Sequence, residues 1–266
     1  MHSDRSFGPP FGAFAGIDRH APIAPQVYAA LREAILNLTL EPGMALSEKS
    51  LSVELGVSRT PVREAILRLT REGLIVVYAQ SGSVVSKIDL AQVEEARFVR
   101  SALECAALAD AGEATGADIR ELEAILARQR EFEASRDDAA WSAFFALDQE
   151  LHRKLTQISG HPLVWDVITA ARVHMDRVRR LSMPFSQRIP EITTIAQVIS
   201  EHERIVSAVA NHDPRAAQEA MAFHLSGVTR IAVLLATELP DYFDPAPDPS
   251  SAGPALGQLD RGGRTQ

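Results

Sequence analysis

Cysteine is nearly absent from this 266-residue chain. The single Cys105 excludes an intrachain disulfide and fits a reducing cytoplasm. It lies in an apolar helical run, the setting of a structural thiol. There is no Ser-His-Asp pattern and no glycine-rich phosphate loop to point to catalysis. No long uncharged apolar span and no signal-peptide core stand out, so the expectation is a cytoplasmic protein without a membrane anchor. A coat of positive charge is also lacking, since the net charge is −8. Strand-like alternation is missing from residues 89–239.

The charge that is present is unevenly placed. Residues 1–88 carry nine Lys/Arg and eight Asp/Glu, and the remainder carries 18 and 27. A near-neutral module beside an acidic one suits local phosphate contacts with repulsion elsewhere. The length allows two domains. Residues 1–22 and 240–266 are rich in Gly, Pro and polar residues without periodicity and read as disordered tails.

The most informative stretch is LSEKSLSVELGVSRTPVREAILRLTR, residues 46–71. Leu51 and Leu55 share a face of one short helix. Gly56 can take the positive φ of a tight turn. Ser58 or Thr60 can cap a second helix, and Pro61 suits its first turn. Val62, Ile66 and Leu69 form the apolar stripe of that helix, with Arg59 at its start and Arg63 off the stripe. Arginines at the N-terminal end of a helix buried on its other face fit a major-groove reader. An ordinary helical hairpin with surface arginines fits the spacing as well. Gly73 then ends the helix, residues 74–79 and 84–88 have strand composition, and Gln80-Ser81-Gly82-Ser83 is turn-like. Helix, turn, helix, hairpin makes a winged helix-turn-helix over residues 23–88. Val27, Leu31, Ile35 and Leu38 supply a helix beneath it, ended by Glu41-Pro42-Gly43.

Residues 24–88, and SRTPVREAILRL at 58–69 most specifically, resemble the DNA-binding domain of the GntR family of bacterial transcription regulators. The resemblance implies a DNA-contacting set of Lys49, Ser58, Arg59, Thr60, Arg63 and Gly82, with Gly82 at the wing tip. Lys49 stands where members often carry Arg, and keeps the charge for a phosphate contact.

Residues 89–239 read as an antiparallel all-α bundle of six helices, at about 89–112, 117–135, 138–159, 162–183, 188–211 and 213–239. Asp148 and His152 are four apart on one helical face. His202 and His224 are equidistant from the turn at residue 213, so an antiparallel pair sets them level. Three imidazoles and a carboxylate suit a divalent metal such as zinc, nickel or manganese. His174 is symmetric with His152 about residue 163 and competes as ligand, supporting group or core residue. His161 and His212 fall in loops.

This half resembles the FCD effector domain of the FadR subgroup. Asp148 and His152 match its DxxxH element, His202 its EH element and His224 its HL element. The resemblance implies a metal held by these four residues and a small carboxylate effector completing the coordination. Arg100 and Glu104 match an Arg-to-Glu pair, which implies an effector-facing Arg100; a surface ion pair fits the i, i+4 spacing equally. The expected protein is a homodimeric, effector-controlled regulator, commonly a repressor, on near-palindromic double-stranded DNA. A metalloenzyme with an accessory DNA-binding domain and a metal sensor are the alternatives.

Overall fold

Val27, Leu31, Ala34 and Ile35 recur at helical spacing and form the buried face of α1 (Ile23–Leu36). They do so in a computed structural model that describes residues 16–78, 82–135, 137–186, 189 and 191–245. α2 (Glu48–Glu54) starts at Ser47, whose side chain accepts from Ser50 N–H. Gly56 takes φ +63 to make the turn. α3 (Arg59–Arg71) follows, with Ser58 at its N-cap position but without a side-chain cap bond. Val62, Ile66 and Leu69 face the core of this domain beside α1. Each such buried side chain contributes about 1.5–3 kcal/mol of apolar burial.

The wing is a three-stranded sheet, in the order β1 (Ala45–Leu46), β3 (Gly82–Val85), β2 (Ile75–Tyr78). Its pairs are antiparallel, with Ile75 opposite Val85 and Ala45 opposite Val84. The two-residue β1 is too short to show alternation and was not expected. β3 starts at Gly82 rather than 84 and ends at Val85. Ser86 and Ile88 leave the ladder because other groups hold them. Ser86 N–H bonds Leu74 O, and Ile88 N–H bonds Tyr242 O at 2.9 Å. The expected turn residues Gln80 and Ser81 lie outside the described residues.

The second domain is helical: α4 (Leu90–Leu108), α5 (Gly116–Arg130), α6 (Asp138–Ile158), α7 (Pro162–Ala171), α8 (Val173–Ser182), α9 (Ile195–Ala210) and α10 (Pro214–Glu238). Among the described residues, seven α-helices replace the expected six. The run 162–183 breaks at Arg172, which ends α7 with ψ near 0. No glycine or proline marks that break, so the sequence hid it. α9 begins at Ile195, where Thr194 and Gln197 form a reciprocal capping box, rather than at 188. α10 is long and apolar enough by length and composition to cross a membrane. Its Ala217, Met221, Leu225, Val228, Ile231, Ala232 and Leu235 are instead buried in the bundle.

Two segments assigned to tails are folded. Ile17 packs on the winged-helix core, and Gln26 Oε1 accepts from Asp18 N–H. Pro240–Tyr242 is a single 3-10 turn, and Phe243 is buried and bridged to Ile88. The rest of both expected tails, 1–15 and 246–266, lies outside the described residues.

Candidate metal centre and nucleic-acid interface

Asp148 and His152 come from α6, His202 from α9 and His224 from α10. One donor atom of each lies within 4.8 Å of the donors of the others. The rings of His202 and His224 are 4.7 Å apart, as their level placement requires. His152 Nε2 and His224 Nε2 approach to 3.2 Å. His224 stands on α10 where one apolar cluster, with Met221 and Leu225, meets another, with Val228 and Ile231.

Each imidazole is braced through its other nitrogen. Nδ1 of His152 bonds Glu104 Oε2 at 2.5 Å, Nδ1 of His202 bonds Gln129 Oε1 at 2.9 Å, and Nδ1 of His224 bonds Glu201 Oε2 at 2.7 Å. Acceptors on all three Nδ1 atoms place the proton there and turn three Nε2 lone pairs toward one point. This is the second layer that metal-binding histidines use. His202 Nε2 lies 3.4 Å from Asp148 Oδ1 and makes no hydrogen bond. A buried imidazole nitrogen without a partner in a converging donor set fits a metal ligand.

The electrostatics agree. Burial, aided by the neighbouring imidazoles, pushes His202 down to about 3 and His224 well below its ordinary value. Both are therefore neutral donors at pH 7. Burial would raise the Asp148 carboxyl, but the Arg179 guanidinium outweighs it and keeps Asp148 ionised. Arg179 chelates Asp148 with bonds of 2.7 and 2.5 Å. Glu104 is likewise buried yet held well below the carboxylate range by Arg100 and His152.

Arg100 and Glu104 pair at 2.6 Å, and both are only 1 % exposed. This rules out the surface ion pair. Arg100 Nη2 has no partner, and Arg100 lines a cavity of about 50 Å³ with Arg179, Thr193, Glu201 and His224. His174 is not with the metal set. It sits on α8, just past the break at Arg172, beside Gly73 of the winged helix. Neither of its ring nitrogens has a partner, and burial lowers it to about 4. His161 bonds Asp110, and His212 bonds Gly112 O, so both tie loops together. Cys105 is half-buried, its thiol raised by burial.

The other surface differs in kind. Lys49, Ser58, Arg59, Thr60, Arg63 and Gly82 are all exposed. Among the described residues neither Arg59 nor Arg63 makes an internal hydrogen bond or ion pair. Their guanidinium groups project from the first turns of α3, whose opposite face is buried.

Sequence reasoning missed Gln129, Glu201 and Arg179. Glu201 adjoins His202, and no spacing rule singles out Gln129 or Arg179.

Two family profiles match. The profile "Bacterial regulatory proteins, gntR family" covers residues 23–85, and the FCD domain profile covers residues 95–227. The chain belongs to the GntR family. It is a transcription regulator of that family with an FCD domain. A Streptomyces ambofaciens protein described as an uncharacterized HTH-type transcriptional regulator in an unstable DNA locus is 40 % identical over 203 residues. That alignment covers 76 % of this chain and 81 % of the relative. The Escherichia coli HTH-type transcriptional repressor RspR is 37 % identical over 223 residues, covering 84 % of this chain and 94 % of RspR. The solved structure of Escherichia coli McbR/YncC matches with a TM-score of 0.63 at 22 % identity, over 82 % of this chain and 99 % of that one. It supports the fold alone. GntR regulators bind operator DNA, and FCD domains are associated with metals and small-molecule effectors.

Proposed function

We propose that this GntR-family regulator is a cytoplasmic homodimer whose affinity for a near-palindromic operator is set by a small carboxylate effector at a divalent metal. The observation that carries this reading is the convergence of three Nδ1-braced imidazoles on the Asp148 carboxylate. Asp148, His152, His202 and His224 would hold the ion, zinc ahead of nickel or manganese. Bound there, it supplies a Lewis-acidic anchor for a carboxylate. Arg100 supplies a second anchor, since its free Nη2 borders the same small cavity as His224. Arg59 and Arg63 read or clamp DNA, with Ser58, Thr60, Lys49 and the wing at Gly82 placing the helix. One recognition helix offers few base contacts, so two half-sites and a dimer follow.

α8 connects the two ends. Arg179 on α8 holds Asp148, while Arg177 two residues earlier binds Ser86 at the base of the wing, at 2.5 Å to its carbonyl oxygen. Val173, at the start of α8, is part of the winged-helix core. A change in what Asp148 binds therefore reaches the DNA-binding domain through one rigid helix. An effector shifts the operator equilibrium only by its difference in affinity for the two placements. The relatives are named as regulators, which favours a switch over the metalloenzyme reading.

Operator titrations with metal alone, then with metal plus a panel of small organic acids, test this reading. A carboxylate-dependent change in affinity supports it. A response to metal alone makes the protein a metal sensor, and turnover of a carboxylate makes it an enzyme.

A further inference from the structure

A cleft of about 740 Å³ separates the winged helix from the bundle. This is the size of an ordinary small-molecule site. One wall is α1 with the end of α3, where Tyr28, Arg32, Arg68 and Glu72 engage one another. Tyr28 Oη donates to Glu72 Oε1 at 2.6 Å, Arg32 Nε donates to Glu72 Oε2 at 3.2 Å, and the Arg68 guanidinium lies 3.6 Å over the Tyr28 ring. The opposite wall comes from α6, α7 and α8. There Arg180 donates to Ser142 Oγ at 3.1 Å. Two groups on this wall remain unsatisfied. Asp176 Oδ1 and Thr169 Oγ1 are buried and have no hydrogen-bond partner. The other Asp176 oxygen is 3.3 Å from Arg172 Nε. Trp141, Phe145 and Ala170 give the wall an apolar floor.

The guanidinium groups of the cleft are thus engaged, while a buried carboxylate oxygen and a hydroxyl still lack partners. We propose that this interdomain cleft is a second small-molecule site, one that takes a primary ammonium or amidinium group carried on an aromatic or apolar body. The cation donates to Asp176 Oδ1 and Thr169 Oγ1, and the body lies against Trp141 and Phe145. Burial raises the Asp176 carboxyl, and a cation beside it offsets that penalty. A carboxylate ligand would instead face Asp166 and Asp176, while Arg32, Arg68 and Arg180 of the same lining already have partners.

Tyr28, Arg32 and Arg68 of the winged helix line the same cleft, so a ligand that fills it also favours one placement of that domain. It is also linked to the metal centre by a short path. The Phe145 ring lies 4.5 Å beneath the Arg179 guanidinium that chelates Asp148. The proposal does not rest on the metal being present.

Isothermal titration of the full chain with tryptamine, phenethylamine and benzamidine, against indole-3-propionate as the anionic control, tests the site. At least one of the three cations should saturate at one site per chain. Asp176→Asn should weaken that binding tenfold or more, by order of magnitude for a charge-assisted hydrogen bond. Ala170→Trp, which fills the cleft from an exposed position, should abolish it without requiring any change at Asp176. Absence of saturable binding by all three cations up to ~10 mM overturns the proposal. So does affinity retained in either Asp176→Asn or Ala170→Trp, or equal binding of indole-3-propionate in the same cleft.

Discussion

The winged helix and the helical bundle carry their functional groups in opposite ways. Arg59 and Arg63 are exposed and make no internal bonds among the described residues. Asp148, His152 and His202 are fully buried, and every one has at least one polar partner within the bundle. A surface that must meet a mobile polyanion keeps its side chains free to adapt. The site proposed to hold a small ion has its donors fixed in advance. The difference teaches where substitution should be costly. Changes in the head should alter binding and leave the fold alone, whereas changes in the bundle centre should alter both.

The largest contrast is expected at Arg179. Arg179→Met leaves the Asp148 carboxylate buried without its counter-charge, which should destabilise the metal-free protein by about 3–5 kcal/mol. A divalent ion at Asp148 replaces that charge, so added metal should restore most of the loss. Urea unfolding with and without chelator measures both effects. Unchanged stability in chelator would show that Asp148 does not depend on Arg179.

The head should respond differently. Arg63→Ala should weaken specific operator binding by about 1–3 kcal/mol if the side chain reads a base, with unfolding unchanged. Operator titration and urea unfolding on the same preparation separate the two regions. Unchanged binding in both Arg59→Ala and Arg63→Ala would remove these residues from the interface.

The smallest effect concerns His174, which lies between the regions. Its folded pKa of about 4 is below the ordinary 6.5. Between those values the unfolded chain binds more protons, so stability rises with pH there. The contribution is complete above 6.5 and is lost as pH falls through about 4. His174→Leu should remove that slope, a difference of about 1 kcal/mol in the change between pH 7 and pH 5.5. Parallel slopes for the two proteins would mean that His174 is not held neutral by the interface.

Much of this was legible in the sequence because periodicity and spacing encode it directly. The stripe Val62, Ile66, Leu69 and the glycine at 56 specify the reading head. The equal distances of His202 and His224 from residue 213 place them level, since an uninterrupted antiparallel pair converts sequence offset into height. The same reasoning left His174 open between ligand, supporting group and core residue, because no glycine or proline marks the break at Arg172; the structure makes it a buried residue outside the donor set. The braces were hidden for another reason. Gln129, Glu201 and Arg179 reach the centre from three different helices, and their convergence is set by packing angles that sequence spacing does not carry. The folded segment Pro240–Phe243 was missed because its composition resembles a tail while a single buried phenylalanine anchors it.

Metal content measured on wild type and on the His152→Ala, His202→Ala, His224→Ala and His174→Ala variants, purified together under metal-replete conditions, bears on the bundle centre without reference to any effector. One divalent ion per chain is predicted in wild type and in His174→Ala, with the ion lost from the other three. Equal metal in all five proteins, or none in any of them, would contradict the assignment of Asp148, His152, His202 and His224 as its ligands.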